Sequence, residues 1–394
     1  MTGQRKPPAG AAAGAGRQRP RILYLVTEDW YFCLHRLPVA RAARDAGFEV
    51  VVATRVTNHG ERITGEGFRL IPLQWRRRSL HPWRELRALF AVAGIYRSEK
   101  PELAHHIALK PAVYGSVAAR LARVPASVST VAGLGYVFTS REWKARVLKQ
   151  LLKATFRSVL RKSNVRMIFE NPDDRDVLTA ACRPRPEQMV LIRGTGVDVR
   201  LFKPSPQPAD VVVTLVSRML WNKGIGELVE AAKRLHDEGE NIRFLLVGSP
   251  DPENPASIAE SRLRSWQQAG HVEWLGQRDD VPEIWGRSAV AVLPTTYGEG
   301  VPRCLLEAAA CGLPIIATDT AGCREIVRDG ENGFLVPPGD AAALAEKIRK
   351  LAGDPELRAA MGANGRELVT EHFSEELVVR QTLDVYRSLA GTES

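Results

Sequence analysis

GEGVPRCLLEAAACGLPIIATDTAGCRE, residues 298–325, places Glu299 and Glu307 on either side of a predicted helix start. Pro302 suits the first position of a helix, because its missing N–H has no intrahelical partner there. We therefore predict a helix from about Pro302 to Cys311, with Glu307 in its second turn and Glu299 on the preceding loop. The free amides at such a helix start favour an anion.

This arrangement offers three kinds of contact within one short element. Glu299 can accept hydrogen bonds from hydroxyl groups, and the helix amides can hold a phosphate. Glu307 is a second carboxylate, far enough from Glu299 to contact the other end of the same ligand. A nucleotide sugar carries hydroxyls and phosphates that match these groups. The alternative is an ordinary surface helix with two solvated glutamates, because short motifs also occur without function.

Strand-like and helix-like segments alternate along the whole chain, which predicts βαβ units and parallel sheets. The pattern stops at the Pro-rich run PSPQP (204–208) and then restarts. We expect an α/β protein of two doubly wound, Rossmann-like domains facing across a cleft, with ligands beyond the carboxyl ends of the strands. The predicted strands are 21–27, 49–54, 68–73, 101–106, 126–133, 165–170 and 189–194 in the first half, and 211–217, 242–248, 272–276, 288–294, 313–319 and 333–339 in the second.

The 394 residues are too many for one typical domain. Residues 1–19 are rich in Ala, Gly and Pro and are expected to form a disordered tail. We expect an N-terminal domain at 20–203 and a C-terminal domain at 204–374. The last helix, at 375–390, is expected to pack back on the N-terminal domain.

Composition narrows the class of protein. With 44% hydrophobic and 25% charged residues, the chain is typical of soluble globular proteins. Its five cysteines are scattered without a CxxC pair, which predicts a reducing compartment, no disulfide framework and no zinc site. No apolar run approaches the length of a membrane span. The net charge of +10 comes from the first half, which suits nucleic acid, anionic lipid or a phosphorylated substrate.

A second charged loop follows the predicted strand VVVTLVS (211–217). Arg218 and Lys223 both lie in the loop between this strand and the next helix. The planar fork of arginine matches phosphate oxygens, and lysine adds a compact charge. Together they could neutralise a diphosphate and stabilise it as a leaving group. The alternative is a pair of solvated surface cations.

Three motifs in combination resemble the retaining glycosyltransferases of family 4, which have the GT-B fold. They are SRMLWNKG (217–224), GTGVD (194–198) and EGVPRCLLEA (299–308). The resemblance covers nearly all of 20–390. It implies metal-independent transfer of a hexose or an N-acetylhexosamine from a nucleotide sugar, with retained anomeric configuration. The nucleotide sugar is then a substrate, and no cofactor is expected.

The resemblance places the donor in the C-terminal domain. Arg218 and Lys223 would bind the diphosphate and Glu299 would hold the donor sugar, so these three are the catalytic candidates. Glu307 would hold the ribose hydroxyls. The rate would come from stabilising the departing diphosphate and the oxocarbenium-like sugar. The donor-binding candidates, including a nucleobase slot at 274–278, are Gly276, Arg278, Gly300, Val301, Pro302, Leu306 and Glu307.

The N-terminal domain would hold the acceptor. HHIALKPAVYGS (105–116) and AGLGYVF (132–138) resemble a subgroup that extends polyprenyl-diphosphate-linked saccharides, although Ala132 stands where many members have a histidine. The histidines and lysine that we place just after a strand could bind an acceptor phosphate or assist proton removal. Packed core histidines are the alternative. The acceptor or cleft candidates are Glu28, Asp29, His35, His105, His106, Lys110, Gly133 and Gly135.

The segment 140–166 is basic and has apolar residues at helical spacing. A helix of this kind, expected at 141–162, can dock on an anionic membrane surface. Trp75, Trp83 and the arginines at 76–78 could add to the patch. The alternative is an apolar face packed on the sheet with a solvated basic back. With a lipid-linked saccharide as acceptor, we expect a peripheral protein on the cytoplasmic face of the inner membrane.

The leading hypothesis is a glycosyltransferase of polysaccharide or glycan biosynthesis that uses a UDP-sugar, with UDP chosen by family frequency alone. A sugar-nucleotide epimerase or a phosphorylase on the same fold is an alternative. A basic nucleic-acid-binding protein is the non-enzymatic alternative. The aromatic basic motifs of RNA-binding domains are missing, so we expect no nucleic acid as partner.

Overall fold

The computed structural model describes residues 19–75, 82–131, 133, 143–206, 208 and 210–390. Several expectations lie outside these residues: the tail at 1–18, the arginines at 76–78, Gly135 and the start of the basic segment at 140–142. Within the described residues the chain forms two parallel sheets with helices against them.

The first sheet has seven strands in the order β3-β2-β1-β4-β5-β6-β7. The chain order reverses at β1, which pairs with β2 on one side and β4 on the other. The central strands β4 and β5 are buried along their whole length, as expected for parallel strands covered on both faces. The strands are β1 (Arg21–Glu28), β2 (Glu49–Arg55), β3 (Arg69–Pro72), β4 (Leu103–Ile107), β5 (Ala126–Val131), β6 (Val165–Phe169) and β7 (Met189–Leu191).

The helices of this half cover both faces of the sheet. The apolar pattern of the sequence predicts a helix near 36–46, but a helix already begins at Asp29, directly after β1. The helices are α1 (Asp29–His35), α2 (Leu37–Asp45), α3 (Gly60–Gly65), α4 (Pro82–Glu99), α5 (Leu109–Ala122), α6 (Trp143–Val159) and α7 (Pro172–Cys182).

The second sheet has six strands in the order β10-β9-β8-β11-β12-β13, with the reversal at β8. Its strands are β8 (Val211–Val216), β9 (Ile242–Val247), β10 (Glu273–Trp274), β11 (Val290–Leu293), β12 (Ile315–Thr318) and β13 (Gly333–Val336). Its helices are α8 (Ile225–Asp237), α9 (Glu260–Gln268), α10 (Val281–Gly286), α11 (Arg303–Ala310), α12 (Ala321–Arg324), α13 (Ala341–Gly353) and α14 (Pro355–His372). The expected pair of doubly wound α/β units is confirmed.

The last helix, α15 (Glu375–Ala390), packs on the first sheet. Val378, Val385 and Tyr386 join the hydrophobic core that contains the β1 side chains Ile22 and Tyr24. We call the first sheet with α1–α7 and α15 the first lobe, and the second sheet with α8–α14 the second lobe. In each lobe the reversal of strand order lies where ligands of such folds bind.

Candidate functional site

A cationic corner follows β8, at the reversal point of the second sheet. A single 3₁₀ turn, Trp221–Lys223, leads into α8 through Gly224, which has φ +76°. A Cβ at Gly224 would lie 1.9 Å from the carbonyl oxygen of Pro294, at the end of β11. Glycine is therefore required for this loop to pack against the neighbouring strand end.

Lys223 forms an ion pair with Glu299, and both side chains are almost wholly buried. The Lys223 ammonium also lies 5.6 Å from the ring centre of Tyr297. Burial alone would lower the pKa of Lys223, but the charge of Glu299 and its neighbours outweighs burial and raises the pKa. Lys223 is therefore charged at neutral pH. The sequence placed both residues at one site, and the structure brings them into contact.

One carboxylate oxygen of Glu299 is buried without a hydrogen-bond partner among the described residues. Its Oε2 pairs with Lys223, while Oε1 is enclosed and has no hydrogen-bond partner among the described residues. A buried acceptor of this kind needs a donor, because an unsatisfied buried polar atom costs free energy. A sugar hydroxyl is a donor of the right kind.

Arg218 lies in the same corner and reaches the first lobe. Its Nη1 lies 2.7 Å from Oδ2 of Asp251, and its guanidinium lies 5.9 Å from the ring centre of Trp30 in α1. Arg218 is partly exposed, whereas Lys223 is enclosed. The two expected diphosphate ligands thus lie together where the lobes meet.

The acidic loop leads from Glu299 into α11. Pro302 is the residue before the helix and not its first turn, since its ψ of 117° is extended. A Cβ at Gly322 in α12 would lie 1.7 Å from the carbonyl oxygen of Gly300, so the second lobe supports the loop closely from behind. Val301 and Pro302 are both buried.

Glu307 and Leu306 lie on α11 and are both buried. Glu307 accepts a hydrogen bond from Nε of Arg303 at 2.8 Å. Burial raises the pKa of Glu307, and the charge of Arg303 partly offsets this. The Leu306 side chain is completely enclosed in the hydrophobic core of the second lobe. A nucleotide sugar could therefore contact only the Leu306 backbone.

The expected nucleobase slot lies at the far strand of the second sheet. Gly276 has φ +69°, and its carbonyl accepts a hydrogen bond from the N–H of Gly248 at 2.7 Å. The Trp274 indole N–H donates to the carbonyl of Gly248 at 2.8 Å. Arg278 is exposed and forms a two-pronged ion pair with Asp280. The segment is thus held by backbone contacts, and its charged side chain points to solvent.

Glu28 is the last residue of β1, Asp29 is the first residue of α1, and both are buried. Glu28 pairs with Arg55 at 3.2 Å, and Arg55 pairs in turn with Glu253 of the second lobe at 2.7 Å. Asp29 accepts hydrogen bonds from the N–H and the hydroxyl of Thr57, at 2.7 and 2.6 Å. Burial raises the pKa of Asp29, but these hydrogen bonds outweigh burial and lower it. Asp29 therefore holds the loop after β2.

His35 is the last residue of α1 and lies near arginines of both lobes. Burial lowers its pKa well below the usual range, and the charges of Arg303, Arg36 and Arg218 lower it further. Its ring lies 4.3 Å from that of Tyr31. Nδ1 is buried and has no hydrogen-bond partner in the described part of the chain. His35 is therefore a neutral imidazole at the junction of the lobes.

The expectation that His105 and His106 follow a strand is wrong, because both lie inside β4 and are fully buried. The ring of His105 contacts the hydroxyls of Tyr386 and Thr130, at 2.6 and 2.8 Å. Polar partners on neighbouring elements let these rings occupy the core. They match the alternative of packed core histidines.

The ring of His106 lies 3.0 Å from the Ser129 hydroxyl. Lys110 pairs with Glu85 at 2.9 Å and lies over the rings of Trp75 and Tyr114. Gly133 has φ +81°, and a Cβ there would lie 3.0 Å from the backbone N of Gly300. Gly133 thus allows the first lobe to approach the acidic loop.

The apolar side of the basic helix α6 packs inside the first lobe. Leu152, Phe156 and Val159 are buried in its core, and Trp75, expected on the same patch, is also buried. This part of α6 therefore matches the alternative of an apolar face packed on the sheet with a solvated basic back. The described basic side chains Arg157 and Arg161 are exposed on the other side.

Three charged residues that the sequence analysis did not single out lie between the lobes. Arg36 and Glu170 form a buried ion pair at 3.1 Å. Arg303 donates to the carbonyl oxygen of Leu34, in α1, as well as to Glu307. Glu170 directly follows β6, and its position at the carboxyl end of a parallel strand is the signal that could have found it.

Within the described residues, no helix is long and apolar enough to cross a membrane. The same residues contain no group of three or more His, Cys, Asp or Glu placed to hold a metal ion.

Comparison with known proteins agrees with this architecture. The model of the family "Glycosyl transferase 4-like" matches residues 21–165, and that of "Glycosyl transferases group 1" matches residues 200–368. Among solved structures, the crystal structure of Anabaena HepE in complex with UDP superposes with a TM-score of 0.75 at 21% identity, covering 94% of this chain and 100% of that one. This likeness shows the GT-B fold.

Two curated relatives match over most of their length. The N,N'-diacetylbacillosaminyl-diphospho-undecaprenol alpha-1,3-N-acetylgalactosaminyltransferase of Campylobacter jejuni is 26% identical, with 89% of this chain and 94% of that protein covered. The UDP-Gal:alpha-D-GlcNAc-diphosphoundecaprenol alpha-1,3-galactosyltransferase of Escherichia coli is 26% identical, with 77% and 79% covered. One glycosyltransferase family model matches each lobe, and the charged loops of the motifs SRMLWNKG and EGVPRCLLEA meet at the cleft. This chain therefore belongs to the GT-B glycosyltransferases of family 4.

Proposed function

We propose that this glycosyltransferase moves a hexose or an N-acetylhexosamine from a UDP-sugar to a lipid-linked saccharide in polysaccharide or glycan biosynthesis. The observation that carries the proposal is the buried pair of Lys223 and Glu299, with Arg218 beside it, at the reversal point of the second sheet. The two curated relatives support the class of donor and acceptor, because both are named for saccharides on diphospho-undecaprenol.

The cationic corner suits a departing diphosphate. Lys223 keeps its charge despite burial, and Arg218 presents a planar guanidinium at a partly exposed place. Fixed charges in an enclosed site stabilise developing negative charge more strongly than the same charges do in water. Loss of the diphosphate from the anomeric carbon is therefore the step that this corner would accelerate.

Glu299 would hold the donor sugar next to that corner. Its Oε2 is fixed by Lys223, which leaves the buried Oε1 as the acceptor for a sugar hydroxyl. Glu307, in the second turn of α11 and fixed by Arg303, would hold the ribose hydroxyls. The acceptor hydroxyl would attack from the face that the diphosphate leaves, which retains the anomeric configuration.

His35 suits the acceptor side of the reaction. Its imidazole stays neutral because burial and three arginines disfavour the imidazolium. A neutral imidazole can accept a proton or a hydrogen bond from an attacking hydroxyl. We assign this role to His35, because His105 and His106 are enclosed in the core.

We also propose that the first lobe binds an anionic membrane surface, on the cytoplasmic face of the inner membrane. The solvent-facing side of α4 carries Trp83, Leu86 and Phe90, which are 76%, 42% and 56% exposed. Arg84 and Arg87 on the same helix are exposed beside them. An apolar stripe flanked by arginines fits the interface of an anionic bilayer. Helix α5 packs between α4 and the basic helix α6, so their exposed residues belong to one layer of the lobe.

A donor screen tests the central proposal. UDP-glucose, UDP-galactose, UDP-N-acetylglucosamine and UDP-N-acetylgalactosamine are each added to the purified protein and its melting temperature is followed. At least one should raise the melting temperature, since a ligand that binds only the native state stabilises it. That donor should then be consumed with an undecaprenyl-diphosphate saccharide. If none of the four stabilises the protein, the proposed donor class is wrong.

Four further measurements test the finer points and the alternatives. The product linkage, read by NMR coupling constants, should show retention. Transfer should persist in chelator, and dependence on added magnesium would overturn metal-independence. Release of an epimerised donor without an acceptor would favour the epimerase alternative. Salt-sensitive retention of duplex DNA would favour a nucleic-acid-binding protein.

A further inference from the structure

We propose that Glu170, held by Arg36, is a positioning residue that fixes the donor-binding loop of the second lobe from across the cleft. The inference rests on the proposed function and adds a residue of the first lobe to the donor site. Glu170 lies directly after β6, and Arg36 lies between α1 and α2, so both belong to the first lobe. The loop in question is 299–303.

The ion pair between Arg36 and Glu170 is among the most enclosed in the described structure. Nη2 of Arg36 lies 3.1 Å from Oε1 of Glu170, and the two side chains are 3% and 4% exposed. Burying two charges costs free energy that their attraction often only offsets, so such a pair adds little to stability by itself. The position of this ion pair at the lobe junction is therefore better explained by its contact with the donor-binding loop.

The Glu170 carboxylate faces the donor-binding loop of the second lobe. Burial raises the pKa of the Glu170 carboxyl, and the charge of Arg36 together with a hydrogen bond from the backbone N–H of Val301 partly offsets this. Val301 follows Gly300 directly and lies two residues after Glu299. A carboxylate is a strong acceptor for a backbone amide. Glu170 thus reaches the centre of the loop that would carry the donor sugar.

Two other first-lobe contacts act on the same loop. Gly133 approaches the backbone N of Gly300 so closely that a Cβ would lie 3.0 Å from it. Arg303 donates to the carbonyl oxygen of Leu34, two residues before Arg36. The loop is therefore held at Gly300, Val301 and Arg303 by three separate segments of the first lobe.

This arrangement gives a specific consequence for binding. Arg218 pairs with Asp251 and Glu307 pairs with Arg303, and neither partner lies in the segment 299–301, so the expected contacts to the diphosphate and the ribose depend less on Glu170 than the contacts to the sugar do. The contacts to the sugar depend on the loop 299–301. Loss of Glu170 should therefore weaken binding of the sugar portion and leave binding of UDP nearly unchanged.

The experiment compares Glu170→Gln and Glu170→Ala with the parent and with Asp173→Asn. Asp173 makes a different ion pair between the lobes, with Arg324 at 2.8 Å, and is exposed, so its removal should cost little. Dissociation constants for UDP and for the four UDP-sugars of the donor screen are measured by calorimetry. Circular dichroism checks the folding of each variant.

The parent and Asp173→Asn should bind the preferred UDP-sugar more tightly than UDP. In Glu170→Ala we expect the affinity for that UDP-sugar to fall about tenfold, the effect of one charged hydrogen bond, with less than about a twofold change for UDP. Glu170→Gln keeps an oxygen for the Val301 N–H and should recover part of the loss. Glu170→Gln also preserves the side-chain shape, so it is the milder of the two variants for folding, although both leave the buried charge of Arg36 without its partner.

Equal losses for UDP and UDP-sugar in both variants would show a purely structural role and overturn the inference. Unchanged affinities in both would also overturn it. Failure of the proposed function gives a different result, since the parent itself would then bind none of the four UDP-sugars.

Discussion

Lys223 and Glu299 are 76 positions apart in the chain and form one of its few enclosed ion pairs. Each ends a loop that follows a strand of the second sheet, β8 for Lys223 and β11 for Glu299. These strands are neighbours, so their carboxyl ends share one edge. The pair therefore joins the cationic corner to the acidic loop and fixes the geometry of the candidate site.

Removing either partner should abolish transfer and also weaken the fold. We expect Lys223→Ala and Glu299→Ala each to lower kcat/KM by about a hundredfold or more, as for loss of a fixed electrostatic contact. Each should also lower the free energy of unfolding by about 3 kcal/mol, because the partner is left as an unpaired buried charge. From the sequence alone, two loop residues would have been expected to leave folding intact.

The double variant Lys223→Met with Glu299→Gln serves as the control. It removes both charges, so urea unfolding should show most of the lost stability restored while transfer stays absent. Normal turnover in either single variant would remove that residue from the site.

Gly224 should be intolerant of any side chain. Its φ of +76° is a left-handed conformation, and a Cβ would lie 1.9 Å from the carbonyl oxygen of Pro294. We expect Gly224→Ala to destabilise the protein by about 4 kcal/mol or more, the range of forced backbone clashes. Gly239 is the matched control: it has φ +85°, but a Cβ there would meet nothing within 4 Å. Gly239→Ala should cost only about 1 kcal/mol. Equal losses in urea unfolding would contradict the packing of the cationic corner.

The core histidines should make the fold sensitive to mild acid. Burial lowers the pKa of His106 to about 3, and burial lowers that of His105 well below its usual range. Both are therefore neutral in the folded protein, while the unfolded chain takes up protons below about pH 6.5. The unfolded state then binds more protons, so stability falls as pH falls. Each histidine contributes about 1.4 kcal/mol per pH unit in that range.

Unfolding free energies at pH 7, 6 and 5 measure this slope. His106→Gln should reduce the slope by about one proton, whatever its effect on absolute stability. The matched control is His372→Gln, because the His372 side chain is half exposed rather than enclosed in the core. An unaltered slope in His106→Gln would mean that His106 is protonated in the folded state.

Vesicle binding should depend on the exposed stripe of α4. The double variant Trp83→Ser with Phe90→Ser should lower partitioning onto phosphatidylglycerol vesicles by about tenfold or more, since each large apolar side chain contributes about 1.5 to 3 kcal/mol when buried. Leu201→Ser removes an apolar side chain that is 56% exposed outside this helix and should have no effect. Co-sedimentation at low and moderate salt measures both. Equal binding by the parent and the double variant would remove α4 from the membrane surface.

The sequence predicted the two sheets well, because parallel strands buried on both faces appear as short apolar runs that are readily recognised. It also predicted that Arg218, Lys223 and Glu299 would meet, since strand ends at one edge of a sheet converge. It predicted a strand at 101–106 but treated His105 and His106 as following that strand, because two adjacent histidines in LAHHI break the apolar pattern of a strand. Their partners come from β5 and α15, and no local signal reports them.

The contacts between the lobes were missed for the same reason. Arg303 of the second lobe and Leu34 of the first are 269 positions apart, and the partners Arg36 and Glu170, both in the first lobe at the junction, are 134 positions apart. Helix α1 was missed because TEDWYFCLHR has mixed polarity and follows a strand without a break. Pairings of this kind depend on how two lobes dock, which local propensity and periodicity do not encode.

The chain passes between the lobes twice, and both passages lie side by side. Val197 on the outward passage exchanges backbone hydrogen bonds with Phe373 and Glu375 on the return, at 3.0 and 2.9 Å. A Cβ at Gly196 would lie 2.7 Å from Cα of Glu375, so the two passages are in close contact. Anyone building chimaeras that exchange donor halves between related enzymes must therefore cut at both passages and graft the final helix together with the amino-terminal half.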